Sequence, residues 1–406
     1  MKSKTISVIG LGYIGLPTAA LLANLNYKVK GVDTNYSALK IIDKGKPHFF
    51  EPELENIVQS VIKNGFLETS TTAVEADIYI ICVPTPIKIE NNKPIPDINN
   101  VIEAANNIAP LIKSGDLIIL ESTSPVGTTE KLQEIFKDAS VPVQEIHIAY
   151  CPERVLPGKI ITELLKNDRV IGGLNSRSTN IVADFYKSFV QGNIIQTNSR
   201  TAELCKLAEN SFRDLNIAFA NELSLICDKE DIDVWELINL ANRHPRVNIL
   251  HPGPGVGGHC IAIDPWFIVS KDPEDTKMIR TAREVNNYKT SWVVEKIRIV
   301  ADDFVTDKGR KPLIACFGLS YKPDIDDLRE SPALKIAKSL MYHGYNVIGV
   351  EPNIFNHKEV KLVDFEKAIR DADLIALLVK HQEFLVEEVK NEFNKKIALD
   401  FCGILV

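Results

Sequence analysis

An α/β fold, with two doubly wound parallel-sheet lobes joined by a central helical region containing a long helix, is predicted by three observations. Short β-branched runs alternate with amphipathic helical stretches over the first third of the chain. The same alternation returns from Pro312. Between the two lies a stretch, residues 200–230, with no Gly or Pro and many helix formers.

The elements follow in order. Thr5–Ile9 reads as a strand, Ile14–Leu25 as a helix and Lys28–Asp33 as a second strand, with later strands at Asp77–Val83 and Leu117–Glu121. The second lobe reads as strand Leu313–Gly318, helix Pro332–His343, strand Asn346–Glu351, a helix around Phe365–Arg370 and strand Leu374–Val379. The lobes echo each other in residues: the run Tyr27 to Asp33 parallels Tyr345 to Glu351, and Ala76-Asp77-Ile78 parallels Ala372-Asp373-Leu374. A degenerate repeat of nucleotide-sized lobes is expected. Residues 200–230 would make a helix of about 45 Å. Its apolar side chains, among them Leu204, Leu207, Phe212, Leu215, Ile217, Phe219 and Leu223, point in several directions, so another subunit is expected to cover part of it. The expected domains are residues 1–198, 199–297 and 298–406.

Composition excludes several functions. At 406 residues, with 45% hydrophobic and 25% charged residues, the chain fits a multidomain soluble protein. No apolar run is long enough to span a bilayer, so no membrane partner is expected. The N-terminus lacks the apolar core and cleavage site of a secretory signal, which leads to the expectation of a cytoplasmic protein. Seven cysteines without zinc spacing point to free thiols and no metal site. A net charge of −7 argues against nucleic acid as a partner.

The chemistry concentrates in a few segments. Gly10-Leu11-Gly12-Tyr13-Ile14-Gly15 follows a strand and opens a helix, where glycines permit a tight turn and close approach of a pyrophosphate. Asp33 ends the next strand, positioned to accept hydrogen bonds from an adenosine ribose and to repel a 2′-phosphate, which favours NAD over NADP. A Rossmann-like dinucleotide site is the better reading of this arrangement than a plain tight turn. Thr85 and Thr123 lie just after strand ends, where ligands of open α/β sheets collect. On the long helix Lys206, Asn210 and Arg213 share one face at i, i+4 and i+7. Cys260 closes the run Pro-Gly-Pro-Gly-Val-Gly-Gly-His-Cys at 252–260, where Gly255, Gly257 and Gly258 can bring amides to a phosphate or an oxyanion. A thiol nucleophile beside a hydride acceptor suggests covalent oxidation of a carbon centre. Asp264 either positions water or Lys206, or caps a turn. His244 and Arg246 either bind sugar or phosphate, or belong to a solvated basic loop.

With these residues in place, the chain resembles the nucleotide-sugar dehydrogenase family that includes UDP-glucose and GDP-mannose dehydrogenases, over essentially its full length. GLGYIGLP, Lys206-x-x-x-Asn210, GGHCIAID around Cys260 and GLSYKPDIDDLRESPA at 318–333 occur in the family's order. The resemblance implies a four-electron oxidation of a sugar C6 alcohol to a carboxylate with two NAD molecules, through a thiohemiacetal and a thioester on Cys260. It assigns Lys206 to proton transfer or oxyanion stabilisation, Asn210 and Asp264 to positioning, and Glu153 to hydrolysis. It further implies that Arg154, Val155, Lys206, Asn210, Arg213, His244, Arg246, Gly257 and Lys322 contact the UDP-sugar, and that Gly10, Gly12, Tyr13, Ile14, Gly15, Asp33, Thr85, Thr123 and Arg329 contact NAD. UDP-glucose dehydrogenases typically carry Phe-Leu after the Pro-Glu pair, where this chain has Arg154-Val155, so a UDP-N-acetylhexosamine is the expected substrate. UDP-glucose remains an alternative, as do a β-hydroxyacid dehydrogenase, which needs one hydride and no thiol, and a catalytically silent NAD-binding regulator.

Overall fold

The computed structural model describes residues 4–91 and 93–406. Ten strands precede the long helix: β1 (Thr5–Ile9), β2 (Lys28–Val32), β3 (Leu67–Ser70), β4 (Ile78–Ile81), β5 (Ile87–Glu90), β6 (Lys93–Pro96), β7 (Leu117–Leu120), β8 (His147–Tyr150), β9 (Arg169–Gly173) and β10 (Ile194–Asn198). Eight of them form one sheet in the order β10-β9-β8-β7-β4-β1-β2-β3, and β5 and β6 pair as a separate antiparallel hairpin. Every neighbouring pair in the large sheet is parallel except β8 and β9. The central strands are apolar throughout, as in IYII of β4 and LIIL of β7, because helices cover both faces and leave no solvated side.

Helix Gly15–Asn24 starts within hydrogen-bonding register of the β1 turn and is buried from Gly15 to Ala23. A Cβ at Gly15 would fall 1.7 Å from the Gly10 carbonyl oxygen, so only glycine lets this helix approach the turn.

The second sheet contains β11 (Leu313–Phe317), β12 (Asn346–Val350), β13 (Lys361–Leu362), β14 (Leu374–Leu377) and β15 (Ile397–Asp400), all parallel, in the order β13-β12-β11-β14-β15. That order matches β3-β2-β1-β4-β7 of the first sheet, so the repeat visible in the residues is a repeat of topology. Ser331 starts helix Pro332–Tyr342: its hydroxyl accepts from Leu334 N at 3.2 Å, and Pro332 takes the position that needs no N–H donor.

The Gly- and Pro-free stretch forms a single helix, Ser199–Glu230, and a second long helix spans Lys277–Lys308. A buried polar seam joins them. Arg283 NH1 contacts Asp214 Oδ1 at 2.6 Å with both side chains almost fully enclosed. Asn286 Nδ2 donates to the same oxygen at 2.8 Å, Asn221 Nδ2 to Asn286 Oδ1 at 2.8 Å, and Lys289 Nζ to Ser224 Oγ at 2.7 Å. Removing one member of such a buried pair typically costs about 3–5 kcal/mol, because the other charge is left without compensation. By contact density the chain divides into two units, Met1–Ala208 with Trp266–Lys271, and Glu209–Pro265 with Asp272–Val406. Among the described residues no helix is long and apolar enough to cross a membrane.

Candidate active site

The first unit contains the dinucleotide features. Gly10 to Gly15 form the turn between β1 and its helix, and Asp33 lies just past β2. Asp33 Oδ2 accepts from Leu11 N at 2.8 Å and Oδ1 from Asn35 N at 2.7 Å, so the carboxylate anchors the turn. Around Gly12 no heavy atom comes within 4 Å of where a Cβ would stand, which leaves an open cradle at the helix N-terminus for a pyrophosphate. Tyr13 stacks on Phe49 with ring centroids 4.3 Å apart. Thr85 and Thr123 come together, Thr85 Oγ1 donating to Thr123 O at 2.6 Å. These groups fit a bound NAD.

Glu153, after β8, is buried. Its Oε2 accepts from Val155 N at 2.5 Å, and its Oε1 lies 3.6 Å from the enclosed Arg169 guanidinium. Burial pushes the carboxyl up to about 7, against the opposing pull of Arg169, the Val155 N–H and Lys206. Arg154 NH1 donates to Asp168 O at 3.3 Å.

The second unit contains the thiol. The Cys260 carbonyl accepts from Ile263 N at 2.9 Å and Asp264 N at 2.8 Å, so the thiol stands on the turn that opens helix Asp264–Lys271. Asn210 Nδ2 donates to the buried Asp264 Oδ2 at 2.5 Å, bringing two predicted positioning residues together. Upstream, Gly253 N donates to Asn221 Oδ1 at 2.9 Å and Thr290 Oγ1 to Pro254 O at 2.9 Å. Gly258 has φ +79°, and a Cβ there would meet the Tyr321 ring at 2.8 Å. One at Gly257 would meet Pro332 Cδ and Glu330 O at 2.7 Å. Close packing against residues 321–332 therefore requires these glycines, a reason that sequence alone did not supply.

Lys322 is lowered by burial and by Arg213, against the pull of Asp327. Arg329 grips Asp327 through Nε and NH2, the latter at 2.5 Å. His244 and Arg246 are exposed in a loop closed by Asn242, which donates to Ile249 O at 3.0 Å and accepts from Ile249 N at 2.7 Å.

Three buried carboxylates that support these loops went unnoticed in the sequence. Glu51 accepts from Gly158 N and Ile160 N, both at 2.8 Å, pinning the segment after Glu153. Glu203 accepts from Gly127 N at 2.7 Å and Thr129 N at 2.8 Å, fixing the loop after Thr123. Glu121 accepts from Tyr186 OH at 2.6 Å. A Glu in an apolar context, as in Thr-Ala-Glu203-Leu-Cys, was the available signal.

A dinucleotide-binding unit joined to a second Rossmann-like lobe with a thiol at a helix start defines a class of NAD-dependent dehydrogenases. The chain belongs to the UDP-glucose/GDP-mannose dehydrogenase family, matching its NAD binding domain at residues 4–190, its central domain at 200–288 and its UDP binding domain at 315–406. It is 53% identical to the UDP-N-acetyl-D-mannosamine dehydrogenase of Escherichia coli K12, with 100% of both chains covered. It is 50% identical to an NDP-N-acetyl-D-galactosaminuronic acid dehydrogenase of Ralstonia nicotianae, covering 99% of this chain and 96% of that protein. The structure of a UDP-D-ManNAc dehydrogenase from Pyrococcus horikoshii superposes with a TM-score of 0.89 at 36% identity, covering 99% and 96% of the two chains. The protein is an NAD-dependent nucleotide-sugar dehydrogenase.

The Glu153 environment generates a stability prediction. Its folded-state value, about 7, lies above the ordinary 4.5, so the native chain binds this proton more tightly than the unfolded chain. Stability is therefore lost as pH rises from about 4.5 through about 7. Glu153→Gln is expected to match wild type in urea unfolding near pH 4.5 and to exceed it at pH 8 by on the order of 2 kcal/mol. A variant weaker than wild type at pH 8 would contradict this assignment.

Proposed function

We propose that this protein oxidises the C6 hydroxyl of UDP-N-acetyl-D-mannosamine to the carboxylate of UDP-N-acetyl-D-mannosaminuronate, in two steps. The observation that carries the proposal is the 53% identity to the E. coli UDP-N-acetyl-D-mannosamine dehydrogenase over the whole of both chains, supported by Arg154-Val155 after Pro152-Glu153.

NAD, when bound, accepts one hydride in each oxidation. The chain's own residues do the rest. Arg154, Val155, Arg213, His244, Arg246, Gly257 and Lys322 hold the UDP-sugar, and Tyr13, Ile14, Asp33, Thr85, Thr123 and Arg329 hold the cofactor. Lys206 takes the C6 hydroxyl proton and then stabilises the developing oxyanion. The Cys260 sulfur adds to the C6 aldehyde to form a thiohemiacetal, which the second oxidation converts to a thioester. Asn210 and Asp264, joined by their hydrogen bond, orient the reacting oxygen and the incoming water. Water attacks the thioester carbonyl and gives its proton to Glu153. The C–S bond then breaks, and Cys260 leaves as the thiolate.

The proposal places the reaction in the cytoplasm, consistent with seven cysteines that form no disulfide, as a supplier of uronate units for polysaccharide biosynthesis. It also makes the protein a homodimer. Phe212, Phe219 and Ile226 are 69%, 51% and 51% exposed and recur every seven residues, the spacing of a seam that receives another helix.

Two experiments test these claims. In side-by-side assays, kcat/KM for UDP-N-acetylmannosamine is expected to exceed that for UDP-N-acetylglucosamine and UDP-glucose by roughly tenfold or more. Two NADH should form per sugar, and Cys260→Ala should cut acid formation by about a thousandfold or more. One NADH per substrate, or wild-type acid formation by the variant, would overturn the covalent mechanism. In sedimentation at micromolar concentration, wild type should run at twice 45.3 kDa and Phe212→Asp/Phe219→Asp as a monomer. Monomeric wild type would refute the dimer.

A further inference from the structure

Beneath Glu153 lies a buried cluster that the mechanism above does not use. Arg169, at the start of β9, is 3% exposed, and its guanidinium lies near two buried carboxylates, Glu153 and Glu121. Its contacts are loose: NH1 stands 3.6 Å from Glu153 Oε1, NH2 reaches Leu164 O at 3.4 Å, and Nε has no hydrogen-bond partner.

The carboxylates are treated differently. Glu121, just past β7, receives a donor on each oxygen: Tyr186 OH on Oε1 at 2.6 Å and Cys82 Sγ on Oε2 at 3.3 Å. Burial holds both donors protonated, pushing the Tyr186 hydroxyl and the Cys82 thiol well up. Both oxygens of Glu121 thus have a fixed donor. Glu153 accepts the Val155 N–H on Oε2, while among the described residues Oε1 accepts no hydrogen bond. Arg169 and the half-buried Lys206 are the positive groups that oppose the burial of Glu153, so a second carboxylate that engages Arg169 leaves less of that opposition to Glu153.

We propose that Glu121, Tyr186 and Arg169 are positioning residues for thioester hydrolysis: Tyr186 holds the Glu121 carboxyl in place, Glu121 engages the charge of Arg169, and Glu153 is thereby left free to take a proton from water. The groups facing Glu153 or its partner Arg169 are Glu121 after β7, Cys82 after β4, Cys151 two residues before Glu153, Tyr186 from helix Ser176–Lys187 and Lys206 from the long helix. Cys151 is pushed up to about 12 and stays neutral, so it adds no charge. Among the described residues Glu121 is the neighbouring carboxyl, and Arg169 and Lys206 are the neighbouring cations.

The signs follow. Neutralising Glu121 releases Arg169 to Glu153 and makes Glu153 more acidic. Neutralising Arg169 does the reverse.

The test rests on Glu153 acting as base in the oxidation proposed above and is read in two ways. The first is the acidic limb of kcat against pH with UDP-N-acetylmannosamine and NAD. Glu121→Gln and Tyr186→Phe, each nearly isosteric, should move the limb about one pH unit down, and Arg169→Gln about one unit up, with both KM values within about twofold of wild type. The second needs no turnover: an infrared titration of the protonated-carboxyl band, assigned to Glu153 by its loss in Glu153→Gln, should move by the same amounts in the same directions. If wild type oxidises no UDP-sugar, the proposed substrate is wrong while the infrared titration still decides the present inference. If Arg169→Gln does not fold, the two isosteric variants decide it. A Glu153 midpoint unmoved in both of them, or moved upward, would overturn it.

Discussion

Buried and half-buried carboxylates that accept backbone N–H groups fix the loops that follow strand ends in both lobes. Asp33 takes Leu11 N, Glu51 takes Gly158 N and Ile160 N, Glu203 takes Gly127 N and Thr129 N, and Glu351 takes Leu319 N at 2.7 Å and Ser320 N at 3.0 Å. A hydrogen bond to a charged acceptor contributes about 1.5–3 kcal/mol, roughly twice a neutral one. A carboxylate is suited to the task because it accepts two donors in one plane and offers none of its own, so it fixes a turn without competing for the carbonyls.

The same device recurs in both lobes, which gives the repeat a physical meaning. Asp33 and Glu351 occupy equivalent places after the second strand of their sheets, and each accepts from the Leu N–H of a Gly-Leu turn. Their surroundings differ. Glu351 is sealed by His381, whose Nε2 lies 3.2 Å from it, while Asp33 spends its second oxygen on the local Asn35 N–H. The histidine holds Glu351 below the usual carboxylate range, against the cost of burial. One lobe therefore keeps its carboxylate at the edge of a ligand cradle, and the other turns it into an internal tie. Divergence of a duplicated unit toward two nucleotides is consistent with this difference.

What the sequence revealed was local. The fingerprint at Gly10 to Gly15, the carboxylate at Asp33 and the run around Cys260 were legible because a tight turn or a helix start dictates residue type within a few positions. The strand bounds came within one to two residues, the expected Asp77–Val83 shrinking to Ile78–Ile81. What escaped was non-local. Glu51 and its partner Gly158 are 107 residues apart, and Glu121 and Tyr186 are 65 apart. Short or polar strands such as LETS of β3 and IIQTN of β10 carry no periodic signal. On the long helix the apolar residues drew attention, yet Asp214, Asn221 and Ser224 are buried and bind the neighbouring helix, while Phe212 and Phe219 are exposed.

In the proposed mechanism Cys260 carries the sugar carbon covalently between the two oxidations. The direct measurement is mass spectrometry of Glu153→Gln, in which hydrolysis is slowed, acid-quenched during turnover with UDP-N-acetylmannosamine and NAD. The peptide containing Cys260 should carry the mass of one uronyl group, removable by hydroxylamine. Uronate forming while that peptide stays unmodified, or an adduct on any other cysteine, would contradict it.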